Sequence, residues 1–109
     1  MEKTTQMRLE ARARVLKALG HPSRLFIAEE LLKGERCVCE LRELIGADMS
    51  TVSKHLSIMK NAGLVSDDKR GTQVYYSLRM PCVLNFLGCV DEVLRASAQE
   101  AVRITGGGE

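Results

Sequence analysis

The 109-residue chain lacks any apolar run near the roughly 20 residues that a membrane-spanning helix needs, so no bilayer crossing is expected. Its opening residues, Met1 to Gln6, are polar and lead into a charged helical pattern, which is not the build of a secretory signal. A cytoplasmic location is the expectation that follows. Without export, four cysteines do not make a disulfide framework; in a reducing compartment thiols serve metal or redox chemistry, or fill core space. Histidine is scarce, with His21 and His55 alone, and neither stands in the C-terminal third. No internal repeat is visible in the sequence, and a single domain is the expectation. One chain of this length builds one core, and is small enough to gain from dimerisation.

Net charge is +2, which by itself does not argue for nucleic acid. Its distribution says more. Residues 49–79 hold Lys54, Lys60, Lys69, Arg70 and Arg79 against Asp67 and Asp68, a net +3, while residues 80–109 are net −2. The positive excess sits in the middle third, where a phosphate-facing surface would need it.

Apolar spacing predicts a first helix over residues 5–19, with Leu9, Val15, Leu16 and Leu19 on its apolar side. Pro22 opens a second, filled inside by Leu25, Ile27, Ala28, Leu31 and Leu32 and stopped at Gly34. A third runs over 37–45 with Val38, Leu41, Leu44 and Ile45 facing a core, and Asp48 caps a fourth over 49–62. In that fourth helix Val52, Leu56 and Met59 point inward, while Ser50, Lys54, Ser57 and Asn61 project from the opposite side. Two strands follow, Leu64 to Asp68 and Thr72 to Leu78, with Lys69-Arg70-Gly71 as the tip between them. Pro81 begins a last helix reaching about residue 104, striped by Val83, Leu87, Val90 and Leu94; the Gly106-Gly107-Gly108 tail is expected to fray. The fold class is mainly α with a small β-hairpin, in the order α-α-α-α-β-β-α.

Helix, tight glycine-containing turn, then a helix with small polar residues at its start is the helix-turn-helix plan, here over residues 37–62. A major-groove reader needs side chains that donate or accept without blocking approach; Ser50, Thr51, Ser53, Lys54 and Ser57 meet that need. His55 lies nearer the apolar side, so a partly buried or backbone-contacting role stands beside base reading. The hairpin over 64–78 forms a wing whose basic tip, Lys69 and Arg70, reaches a phosphate or the minor groove, with Gln73 and Tyr75 as further contacts. Tyr75 and Tyr76 alternate, so at most one of them faces DNA.

Arg36-Cys37-Val38-Cys39-Glu40-Leu41, Ser50-Thr51-Val52-Ser53-Lys54-His55-Leu56, Ala62-Gly63-Leu64-Val65 and Gly71 ahead of Val74-Tyr75-Tyr76 resemble the ArsR/SmtB family of metal-responsive repressors, with the arsenic-sensing branch nearest. The likeness runs from about Val15 to Val93. It implies a homodimer, joined through the first and last helices, that sits on a palindromic double-stranded operator and leaves it when an inducer binds.

Cys37-Val38-Cys39 resembles the family's thiolate inducer motif, which in the arsenic-sensing branch carries a third cysteine three residues on, where this chain has Arg42. A third ligand then comes from elsewhere in the chain, with Cys82 or, as substitute, Cys89 as the candidates, or is absent. Seven residues on one helix span about 10.5 Å, too far for both to reach one ion. Cys82, at the looser helix start, is the better placed. On a continuous helix Cys37 and Cys39 would diverge by about 200°, so chelation would require the first turn to unwind. Soft thiolates with no histidine nearby favour arsenite or antimonite, with cadmium or lead behind. Two other readings remain open: a thiol-redox or persulfide switch, and a constitutive DNA binder with inert cysteines. Enzymatic activity is not expected, because a Cys39/His55 pair has no orienting acid or oxyanion arrangement by spacing.

Overall fold

The computed structural model describes residues 1–104; the glycine tail lies outside them. The elements are α1 (Lys3–Leu19), α2 (Pro22–Leu32), β1 (Arg36–Cys37), α3 (Val38–Ile45), α4 (Met49–Asn61), β2 (Val65–Arg70), β3 (Gln73–Leu78) and α5 (Val83–Ile104). The winged helix-turn-helix is therefore as expected from the sequence, with one addition. A two-residue strand, β1, precedes α3 and gives a three-stranded antiparallel sheet of order β1-β3-β2. Nothing local announces a strand this short. It exists because Arg36 pairs with Tyr76 and Cys37 with Tyr75 across the wing.

The core is where the helical periodicities converge. Ile27, Leu41, Val52, Leu56, Met59, Leu64 and Val83 are all fully buried, contributed by α2, α3, α4, the α4–β2 link and α5. Leu44 departs from expectation. It is 51% exposed, because Val38, Leu41 and Ile45 already fill the inner side of so short a helix. At the end of α3, Gly46 takes φ +77°, a left-handed stop that a side chain would strain.

The wing is longer than its pattern suggests. β2 continues through Arg70, which pairs with Gln73, so the tip is Gly71-Thr72 and not Lys69-Arg70-Gly71. Gly71 has φ +62° and Thr72 does not, the backbone pattern of a two-residue type II′ hairpin.

α1 and α5 reach beyond the packed body. From Gly88 through Ala101 every residue of α5 is exposed, including Val90, Val93 and Leu94. The radius of gyration, 17.6 Å, exceeds the roughly 13 Å of a compact chain this long. No helix among the described residues is long and apolar enough to cross a membrane.

Candidate nucleic-acid interface and thiol pair

Helix α4 is held at its start by Asp48, whose carboxylate accepts from the Thr51 amide at 2.8 Å and the Ser50 hydroxyl at 2.9 Å. Those bonds, the Thr51 amide foremost, hold the Asp48 carboxyl below its usual range. With Val52, Leu56 and Met59 sunk in the core, Ser50, Thr51, Ser53, Lys54 and Ser57 are left exposed together. That face is polar, small and cationic, as groove entry requires.

His55 sits between this face and the core. Its ring lies 4.5 Å from that of His21, tilted by 48°, and its Nδ1 is 3.5 Å from an Arg24 nitrogen. Burial, then the charges of His21, Arg24 and Lys54, push its pKa down. A neutral Nδ1 accepting from Arg24 fits those surroundings, so the ring braces α4 against the start of α2. His21 is itself the cap of α2, with Nδ1 accepting from the Ser23 amide at 3.0 Å. Neither His21 nor Arg24 is visible as a partner of His55 from spacing, being over 30 residues away in sequence.

On the wing, Lys69 is exposed and pairs across to Val74. Arg70 differs from the free tip cation expected. It makes two hydrogen bonds to Glu35, of 2.7 and 2.9 Å, and one of 2.9 Å to Asp68. Its guanidinium covers the Tyr75 ring at 4.6 Å. These carboxylates hold Arg70 firmly charged, and equally cancel the charge it would offer a phosphate. Tyr75 thus lies beneath Arg70, while Tyr76 packs on the core and burial raises its pKa. At the other end of the wing Lys60 closes on Asp67 at 3.0 Å, which raises the Lys60 pKa.

Cys37 and Cys39 are joined as a disulfide, with Cα atoms 5.4 Å apart. This corrects the divergence expected of a continuous helix. Cys37 is the last residue of β1 and the cap of α3, with extended φ −80° and ψ 160°, so only Cys39 is helical. The two sulfurs converge with no unwinding. Cys37 is buried and its amide donates to Glu40 Oε1 at 2.9 Å; Cys39 is exposed, with its sulfur 3.5 Å from Gln73 Oε1. Cys82 lies in the turn before α5 and Cys89 within it, both exposed and free. No three of Cys, His, Asp and Glu among the described residues gather as metal ligands, so the chain does not bring Cys82 or Cys89 to the pair.

A capped helix with a small polar face, a two-residue-tipped wing and a helical body define the winged helix-turn-helix architecture. Residues 21–67 match the family model for bacterial regulatory proteins of the arsR family. The arsenical resistance operon repressor of Bacillus subtilis is 37% identical over 79 residues, covering 72% of this chain and 75% of that protein. A cadmium resistance transcriptional regulatory protein CadC homolog from Staphylococcus aureus is 45% identical over 67 residues, 61% of this chain and 55% of its own length. The chain therefore spans about half of that relative. A homodimeric winged helix-turn-helix DNA-binding domain from Mycobacterium bovis superposes with a TM-score of 0.76 at 30% identity, covering 92% of this chain and 93% of that one. The chain belongs to the arsR family. These relatives are named as transcriptional regulators, not enzymes.

Proposed function

We propose that the chain is a homodimeric, cytoplasmic repressor that binds a palindromic operator and releases it when the Cys37–Cys39 pair changes state. The observation that carries this reading is the position of Cys37. It ends the strand that hydrogen-bonds the wing and also caps α3, the first helix of the helix-turn-helix. Any ligand that draws on its sulfur acts on both DNA-facing elements at once.

In the reduced chain, Cys37 and Cys39 present two convergent thiolates suited to a soft ion: arsenite or antimonite, with cadmium or lead as alternatives. The third donor is Cys82 or Cys89 of a second copy, or a ligand from solution. Ser50, Thr51, Ser53, Lys54 and Ser57 enter the groove, with Lys69, Gln73 and Tyr75 of the wing beside them. Leu16, Leu19, Leu25, Phe86, Leu87 and Val90 line an apolar cleft of about 300 Å³ between α1 and α5 that a second copy covers.

The disulfide supports a second reading, a redox switch. Two thiols lose two electrons and two protons to an oxidant such as peroxide, and the closed pair can no longer chelate. The experiment is an operator-release titration under reductant with arsenite, antimonite, cadmium, lead and zinc, repeated with peroxide and polysulfide. Release by an ion, abolished in both Cys37→Ser and Cys39→Ser, supports the sensor. Release by oxidant alone supports the redox form, and no response to any of them leaves a constitutive binder.

A further inference from the structure

At the edge of the exposed face of α4 lies a cleft of about 410 Å³ between the last turn of α1, the first turn of α2 and the last turn of α4. Its floor is apolar, from Ala18 and Ile58, and its rim carries Arg14, Lys17, Arg24 and Asn61. No carboxylate lines it. None of the three cations forms an ion pair among the described residues, although Glu30, Glu35, Glu40, Asp67 and Asp68 are all taken by other cations. Arg24 Nε is buried without a hydrogen-bond partner. A buried guanidinium nitrogen left unsatisfied beside two unpaired cations is a site short of an anion.

The helix ends do not reverse that sign. Two C-termini and one N-terminus border the cleft, each worth about half a charge, for a net of roughly −0.5 against three full positive charges. An apolar floor lowers the local dielectric and strengthens the remainder.

We propose that this cleft takes a phosphate group of the DNA backbone, at the far end of the reading helix from the groove contacts. The proposal rests on the DNA-binding reading above. Asn61 continues the row of Ser50, Lys54 and Ser57 at spacings of four, three and four, so it lies on the same face of α4. It stands about 16 Å from Ser50 along the axis, at 1.5 Å per residue. A major groove is about 12 Å wide. With the start of α4 in the groove, its Asn61 end comes over the sugar–phosphate strand that borders it. On α1, Arg14 lies about 150° around the axis from Leu9 and Leu16 and Lys17 about 90°, so a second copy packed on the apolar side leaves the Arg14 side of the cleft open.

The test uses the full chain and a short duplex enriched by it from a random pool, with a scrambled duplex alongside. Binding is measured by fluorescence anisotropy from 50 to 200 mM salt for wild type, Arg14→Gln, Lys17→Gln and Lys17→Arg, with Lys33→Gln as a charge control outside the cleft. Each lost phosphate contact should flatten the log–log salt slope by about 0.9, and a dimer with one cleft per chain loses two, so each glutamine variant should flatten it by about 1.8 and remove a roughly twelve-fold share of the affinity change over that range. The loss should be equal on both duplexes, Lys17→Arg should restore the slope, and Lys33→Gln should leave it unchanged. Circular dichroism melts confirm that the variants fold. Wild-type slopes in both glutamine variants overturn the proposal. If inorganic phosphate then still shifts the Arg14 and Arg24 side-chain resonances, the cleft holds a free anion instead. A wild type that binds neither duplex refutes the DNA-binding reading itself, a result distinct from unchanged slopes.

Discussion

The guanidinium of Arg70 meets the carboxylate of Glu35 through two parallel hydrogen bonds, 2.7 and 2.9 Å long. Glu35 stands immediately before β1, two residues from Cys37, so the wing's end is clasped to the approach to the thiol pair. The clasp also takes the wing's second cation out of use. Removing it should therefore act on DNA binding more than on folding. In Glu35→Gln, Arg70 keeps only Asp68, and operator affinity should rise several-fold with a steeper salt dependence, because one more cation faces phosphate. Melting temperature should move little, since exposed ion pairs contribute little to stability. Anisotropy titrations at two salt concentrations check both statements, and a fall in affinity would mean that the clasp aligns the wing instead of restraining it.

The braced position of His55 predicts a pH dependence. Its pKa is pushed below 6.5 by burial and by the charges of His21, Arg24 and Lys54. Between that lowered value and 6.5 the unfolded chain binds more protons than the native one, so stability rises with pH there. Its contribution is thus complete above about 6.5 and declines as pH falls through that value toward the folded pKa. Melts between neutral pH and mildly acidic pH should show the decline in wild type. His55→Asn, which keeps an acceptor near the place of Nδ1 but cannot take the proton, should flatten it.

The thiols should separate by count and by consequence. Cys82 and Cys89 are exposed and free, so the oxidised chain should titrate two thiols with a disulfide reagent and the reduced chain four. Cys37 is 5% exposed, and Cys39 lies on the surface. Cys39→Ser should leave the melting temperature of the reduced chain unchanged while abolishing its response to inducer. Cys37→Ser places a hydroxyl where a thiol is packed, and should lower the melting temperature as well.

What the sequence makes legible here is what depends on neighbours within a turn or two. The period of Val52, Leu56 and Met59, the cap at Asp48 and the stop at Gly46 each act over a few residues, and each can be read from spacing. The same spacing places Ser50, Thr51, Ser53 and Lys54 on one open face. Strand β1 is different, because two residues have no period and owe their conformation to Tyr75 and Tyr76, almost 40 positions away. Hence Cys37 reads as helical when it is extended, and the pair reads as divergent when it converges. Arg70 reads as a free cation for the same reason. Its partner Glu35 is 35 residues upstream, and only the folded sheet brings them together.

The unpartnered length of α5 leads to the last prediction. Val93 is 64% and Leu94 61% exposed, on the helix that also carries Phe86 and Val90 at helical spacing. An apolar stripe this long, on a helix standing clear of its own core, is unfavourable in water unless covered. If a second copy covers it, a two-fold axis makes each substitution count twice. Losing burial of two valines, at roughly 1.5 kcal/mol each, weakens the dimer by about 3 kcal/mol, or two powers of ten in dissociation constant. Val93→Glu adds to this by bringing two carboxylates toward each other across the axis. Sedimentation equilibrium should therefore find wild type at twice the 12.1 kDa chain mass and Val93→Glu as the single chain. Because Val93 lies within the stretch of α5 from Gly88 to Ala101 in which every residue is exposed, the winged body should keep its circular dichroism and its melt. Operator binding should nonetheless fall steeply, since two reading helices held one helical turn apart bind jointly and separated ones do not. A variant that remains dimeric would place the interface elsewhere than on α5.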